Sequence, residues 1–395
     1  MNRNRIKTLA MAVALTAVLV LTSPARTQAG IRERDNAPQP STYAIDSLPD
    51  IGTSPYTLDE KKLDELVSAI RADDFGKTDS LVIIQNDSLI LEKYFRGWAR
   101  DRRHSCFSVT KSVTSALIGI LLDRGEIPGL DEKLLSFFPG YQNIKNMDAR
   151  KEAITLEHVL TMTAGFSWNE VSTPYFFGIF PNLKNEMTRM LFSRDYIKYV
   201  LDKSMAADPG TVWTYNSGSL DLLSGIITDA TGQTAEDFAA ENLFHPIGIT
   251  DWKWNKGSQG ISETGAGLSL HPVDMAMFGY LFLKKGRLQG KQIVPEEWVA
   301  VSTAQHVAEL KINDQAVNLH YGYLWWIMPV NATIGGSLQL DEIYCALGYG
   351  GQCIFVIPPL DMVVVSTASN FDSAARLFSG FKFLTDYILP AVKER

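Results

Sequence analysis

SVTKSVTSALIGILLDRG (108–125) is the stretch on which the reading of this 395-residue chain turns. Val113, Ala116, Leu117, Ile120 and Leu121 follow the i, i+3, i+4, i+7 period of a helix, and Gly125 stops it. Upstream the character differs. LVIIQNDSLILEKYF (81–95) has β-branched runs on both sides of Asn86-Asp87, the signature of a hairpin. So Ser108 lies where a strand-rich section gives way to a helix.

Moving outward, residues 130–250 carry mostly helical signals separated by turns. Leu220 to Ala230 reads as a helix ended by Gly232, and Thr234 with Asp237 as the cap of the next. Val273 to Lys284 is a further helix. IFVIPPLDMVVVST (354–367) reads as two strands around a turn, and a last helix is expected over about 374–388. Leu58 to Ala72 is a short charged helix, and residues 30–60 a surface-hugging segment. Strands lie near both ends with helices between, and βαβ repetition is absent. The expectation is an α/β chain of the α+β kind: an antiparallel sheet built from both ends, flanked by helices, with a helical subdomain over about 108–250. The main domain is expected over 78–390, preceded by an extension over 30–77.

Composition bounds the function. The hydrophobic set is 46% and charged residues 21%, which fits an ordinary globular chain. A net charge of −7 disfavours nucleic acid as a partner. Arg3, Arg5 and Lys7, then the apolar run Leu9 to Leu21, then Thr27-Gln28-Ala29, have the layout of a signal peptide cut after Ala29. An exported product, periplasmic or secreted, is expected, with no stable membrane insertion after cleavage. Cys106, Cys345 and Cys353 are too few for a disulfide scaffold, and both a single pair and three free thiols fit. The six histidines show no metal-ligand spacing, so neither metal nor cofactor is expected.

Three elements carry chemistry. If Ser108 opens the helix, Lys111 is one turn along on the same face. A serine hydroxyl is a poor nucleophile until a base takes its proton, and a buried lysine can be that base. The helix N-terminus also offers a backbone N–H to a developing oxyanion. The second element is Trp213-Thr214-Tyr215-Asn216-Ser217-Gly218, a turn that can project Tyr215 into a cleft as a proton relay. The third is Gly348-Tyr349-Gly350-Gly351-Gln352, glycines at a strand entrance that let a substrate approach. It fits neither a phosphate loop nor a dinucleotide fingerprint, and the Gly-x-Ser-x-Gly elbow is missing. Trp168, Tyr175, Phe176, Phe177 and Phe180 crowd one loop, where they either line a pocket or anchor the loop on the core.

Together these elements resemble the serine β-lactamase and penicillin-binding-protein superfamily, in its class C-like branch. ITLEHVLTMTAGFSW (154–168), PGTVWTYNSGSLDLLSGIITDATG (209–232), LFHPIGI (243–249) and GAGLSLHPVDMAMFGYLFLKKG (265–286) resemble the intervening family segments. The resemblance implies a β-lactamase/transpeptidase-like fold. It makes Ser108 the acylated nucleophile, Lys111 the amine that deprotonates it, and Tyr215 the partner base that passes the proton to the leaving group. The N–H groups of Ser108 and Gln352 would form the oxyanion hole, with Gly350 and Gly351 shaping the strand beside the substrate.

Two positions depart from the β-lactamase pattern. Tyr349 stands where a cation would attract a substrate carboxylate, and Ser217 where an asparagine would hold an acylamino group. Both resemble the branch containing 6-aminohexanoate-dimer hydrolase and family VIII carboxylesterases. The expected function is therefore an exported serine hydrolase of small-molecule esters or amides. The alternatives are a peptidoglycan DD-peptidase or weak β-lactamase, and a non-catalytic binding protein on the same fold.

Overall fold

The computed structural model describes residues 44–48, 52, 54–173, 175–177, 180–257, 259–371 and 379–395. The leader expected over 1–29 lies outside them, as does the start of the C-terminal helix. The labelled strands are β1 (Thr78–Gln85), β2 (Ser88–Tyr94), β3 (His320–Tyr321), β4 (Trp326–Ile334), β5 (Leu338–Gly348), β6 (Gln352–Ile357) and β7 (Met362–Ala368). The labelled helices are α1 (Glu60–Arg71), α2 (Thr110–Asp123), α3 (Ser217–Thr231) and α4 (Pro272–Leu283).

All seven strands form one antiparallel sheet in the order β3-β4-β5-β6-β7-β1-β2. The sheet is thus assembled from both ends of the chain, as the sequence pattern predicts. β1 and β2 join through Asn86 and Asp87, whose φ angles of 53° and 60° suit a tight hairpin turn. β1 is buried along its whole length, whereas the edge strand β2 is only partly covered. The β4–β5 hairpin was not legible in the sequence. Pro329 and a register shift before Ala332 break its alternation, and β5 exposes Gln339, Asp341 and Glu342.

Helices cover both faces. α4 lies on β6, β7 and β1. Gly279 makes the approach close, since a Cβ there would sit 2.7 Å from Ile354 and from Val363. On the other face, residues 379–391 seat Phe381 against Phe355 with ring centroids 5.4 Å apart. α1 packs behind that segment and buries Leu63, Leu66, Val67 and Ile70. Tyr56–Leu58 pairs antiparallel with Val392–Glu394, which ties the segment before α1 to the one after residues 379–391.

α2 departs from the amphipathic stripe that its spacing suggests. Residues Thr110 to Leu121 are buried all round. Its hydroxyls are satisfied inside the core: Ser112 donates to the Leu324 carbonyl and Ser115 to the Tyr323 carbonyl, both at 2.7 Å, and Thr114 donates to Thr264 O at 3.0 Å. α3 begins at Ser217, three residues before the expected start, because Asn216 is its N-cap and accepts from the Ser219 N–H. Gly232 ends it in the left-handed region at φ 72°. The three cysteines are free and buried, which removes the option of a pair among them.

The fit of α2 is testable at Gly119, where a Cβ would sit 2.2 Å from the Trp298 ring. That ring is held by stacking on Tyr323. Gly119→Ala should gain about 1 kcal/mol of helix propensity. The clash should outweigh it and leave a net loss of about 1–2 kcal/mol in urea unfolding.

Candidate active site

The approach to Ser108 is bent sharply. His104–Ser105 pairs with Leu268–Leu270, and the Cys106 N–H donates to the Leu268 carbonyl at 2.8 Å. The next residue, Phe107, has φ +46°, a left-handed conformation that is costly for a bulky side chain. Its ring is held in place by Tyr349 and Phe371, with centroids at 5.7 and 5.5 Å. The short 3-10 turn Phe107–Val109 then leads into α2 and leaves Ser108 half-buried at its head.

Lys111 follows one turn later and is 1% exposed. Its Nζ donates to Ser108 Oγ at 3.0 Å, Ser217 Oγ at 2.9 Å and the Gly265 carbonyl at 2.5 Å. Burial pulls its pKa down to about 8, against the opposing charges of Glu170 and Asp221. About one lysine in ten is then neutral at pH 7. Asp221 moves the other way: burial, then the charge of Glu263, push its carboxyl well above the usual range.

Tyr215 completes a triangle around the hydroxyl. Its OH lies 2.7 Å from Ser108 Oγ, with the phenol donating. The ring sits between Lys111 Nζ, 4.9 Å from its centroid, and Trp326, stacked at 6.1 Å. Burial and the charge of Glu170 push the phenol upward, so it holds its proton at neutral pH. It is therefore set to donate and relay a proton rather than to act as a standing base.

Ser217 joins this group, and with it a residue the sequence reading missed. The Ser217 hydroxyl donates to Glu170 Oε1 at 2.6 Å, and its N–H donates to Oε2 at 2.8 Å. Trp168 Nε1 and the Tyr175 OH also donate to Glu170, each at 2.8 Å. Glu170 is 2% exposed. The aromatic loop thus divides: Trp168 and Tyr175 anchor a buried carboxylate, while Phe180 faces solvent. The available signal was a lone glutamate among aromatic residues that carry donors.

The glycine-rich element is a hairpin mouth between β5 and β6. Gly348 abuts the turn that carries Ser108, for a Cβ there would lie 2.3 Å from the Cys106 carbonyl oxygen. Tyr349 packs on Phe107 and donates to the Phe371 carbonyl at 3.0 Å. Gly350 and Gly351 turn the chain with φ of 87° and 107°. Gln352 is fully buried and pairs with Gly348 across the ladder. Its side chain braces the hairpin through Tyr349 O and both backbone groups of Ala368. Ser108, Lys111, Tyr215 and Ser217 therefore converge on one point, whereas Gly350, Gly351 and Gln352 shape the hairpin beside it.

Comparison with known proteins identifies the family and the fold. Residues 63–384 match the family model described as Beta-lactamase. The 6-aminohexanoate-dimer hydrolase of Paenarthrobacter ureafaciens is 22% identical over 312 residues, 77% of this chain and 76% of that protein. Among solved structures, a candidate 6-aminohexanoate-dimer hydrolase from Bacillus anthracis superposes with TM-score 0.65 at 24% identity, covering 87% of each chain. EstCE1, a hydrolase with promiscuous acyltransferase activity, superposes with TM-score 0.61 at 14% identity, covering 80% of this chain and 98% of its own. The fold is that of these hydrolases, and with a family match over most of its length the chain belongs to the beta-lactamase family.

Proposed function

We propose that this chain is an exported serine hydrolase that cleaves an ester or amide bond of a small molecule through an acyl-Ser108 intermediate. The observation that carries the reading is Ser108 Oγ held 3.0 Å from a buried lysine amine and 2.7 Å from a tyrosine hydroxyl. Neutral Lys111 takes the Ser108 proton as Oγ bonds to the substrate carbonyl carbon. The carbonyl electrons pass to an oxyanion at the head of α2. Its donors are the Ser108 N–H and a backbone N–H of the hairpin mouth between Tyr349 and Gln352. Tyr349 packs its ring on Phe107, the residue before Ser108, and the Gln352 side chain braces the hairpin. As the intermediate collapses, the proton passes from Lys111 through the Tyr215 hydroxyl to the leaving group. Water then enters by the same relay in reverse and releases the acid.

Two features favour esters and simple amides over β-lactams. Tyr349 offers no cation to a substrate carboxylate. The Ser217 hydroxyl is already engaged by Lys111 and Glu170, so it is not free to hold an acylamino side chain. Export rests on the leader pattern in residues 1–29.

Purified protein and Ser108→Ala should be compared on p-nitrophenyl butyrate, a short linear amide and a chromogenic cephalosporin. Turnover of the ester or amide, lost at least a thousandfold in the alanine variant by an order-of-magnitude estimate, with the cephalosporin spared, is the expected result. Rapid cephalosporin turnover would instead favour the β-lactamase reading. Equal rates for both proteins would remove Ser108 as nucleophile.

The pH profile follows from Lys111. The base is the neutral amine, so the acylation rate should rise with pH and level off above a midpoint near 8. A rate that is flat from pH 6 to 9, or that falls as pH rises through 8, would exclude Lys111 as the base.

A further inference from the structure

The contacts of Lys111 can be counted proton by proton. The Gly265 carbonyl can only accept. The Ser217 hydroxyl has one proton, and it is donated to Glu170 at 2.6 Å. Ser217 therefore turns a lone pair to Lys111, and accepts from it at 2.9 Å. A neutral amine has two hydrogens and one lone pair. With its hydrogens drawn to Gly265 and Ser217, the lone pair has one remaining direction, toward Ser108 Oγ.

We propose that Glu170 is a positioning residue that aims the Lys111 lone pair at Ser108 by accepting the hydrogen bond of the Ser217 hydroxyl. The inference rests on the proposed roles of Ser108 and Lys111. It deepens that reading by assigning the direction of the proton transfer to a carboxylate that does not touch the substrate. Ser108 Oγ gives its proton to Lys111 Nζ while its electron pair bonds the carbonyl carbon. Ser217 keeps its own proton throughout and directs it at Glu170.

Glu170 is built for this task. It accepts from Trp168, Tyr175 and both donors of Ser217, which uses four acceptor positions. Its Oε2 also meets the first N–H of the 15-residue helix α3, where the helix dipole favours an anion. The other ionisable groups about Lys111 come from separate elements: Tyr215 before α3, and Asp221 within α3, itself facing Glu263, while Tyr175 faces Glu170. Within the buried stretch of α2, Lys111 has no ionisable neighbour.

Glu170→Gln reverses the device without changing its shape. The donors at Oε2, the Trp168 indole N–H and the Ser217 N–H, cannot turn around. The glutamine oxygen must therefore sit there and its NH2 must face the hydroxyls of Tyr175 and Ser217. Ser217 then accepts from the amide, and its freed proton points at the Lys111 lone pair.

The test measures phosphonylation of Ser108 by a fluorophosphonate, in which the Oγ–P bond forms as fluoride leaves, and turnover of the best ester or amide, from pH 5.5 to 10. E170Q should lower the plateau rate roughly a hundredfold, with KM little changed. Its midpoint should move below that of the native protein, because a negative charge near Lys111 is gone. E170Q/S217A should recover part of the rate, since the misdirected proton is removed. If E170Q does not fold, S217A alone serves: the plateau falls and the midpoint stays near that of the native protein, because Glu170 keeps its charge. An E170Q plateau and midpoint equal to the native values would overturn the proposal. So would a lowered plateau with an unmoved midpoint and no recovery in E170Q/S217A, or an S217A profile matching the native one. Full activity in Ser108→Ala or Lys111→Ala would instead overturn the underlying reading, whatever E170Q does.

Discussion

An amine sealed from water must satisfy every proton it carries from within the protein, and that constraint organises this molecule. Lys111 sits inside a helix buried on all sides, with Ser108, Ser217 and the Gly265 carbonyl as its partners. Each partner belongs to a different part of the chain. The turn at Phe107 supplies the first, the start of α3 the second, and the loop before Leu268 the third. Desolvation lowers the lysine's proton affinity, while Glu170 and Asp221 limit the fall. A shallower site would leave the amine fully charged. A site without carboxylates would make the same burial much harder to sustain.

The parts of the site that sequence could reveal are those whose spacing has a mechanical meaning. Ser108 and Lys111 are one helical turn apart, and Tyr215 lies in a turn that opens a helix. Glu170 has no such spacing. Its role arises from burial and from donors brought together by the loop at 168–175, which a linear reading cannot assemble. The same holds for the fold. The β1–β2 and β6–β7 hairpins are apolar enough to read directly, while the β4–β5 hairpin hides behind Pro329, a register shift and polar faces. The early start of α3 turns on Asn216 acting as a cap, which also moves Ser217 from loop to first helical residue.

The walls of the site follow a similar logic. Phe107, Tyr349 and Phe371 pack on one side, and Tyr215, Trp326, Trp213 and Tyr321 on the other. The first group packs around the strained turn that carries Ser108, and the second surrounds Tyr215, whose ring also lies 4.9 Å from Lys111 Nζ. Backbone strain at Phe107 is sustained because ring contacts hold the residue from both neighbours.

The pairing of β1 with β7 has an implication for how the chain becomes a protein. Thr78–Gln85 is the most deeply buried early strand, yet its sheet neighbour on one side is Met362–Ala368, close to the other terminus. Most of the chain must be spanned before that pair can close, so native contacts are dominated by distant partners. Without that partner, one edge of the early hairpin would be unpaired. The sheet and the pairing of Tyr56–Leu58 with Val392–Glu394 therefore both join residues far apart in sequence.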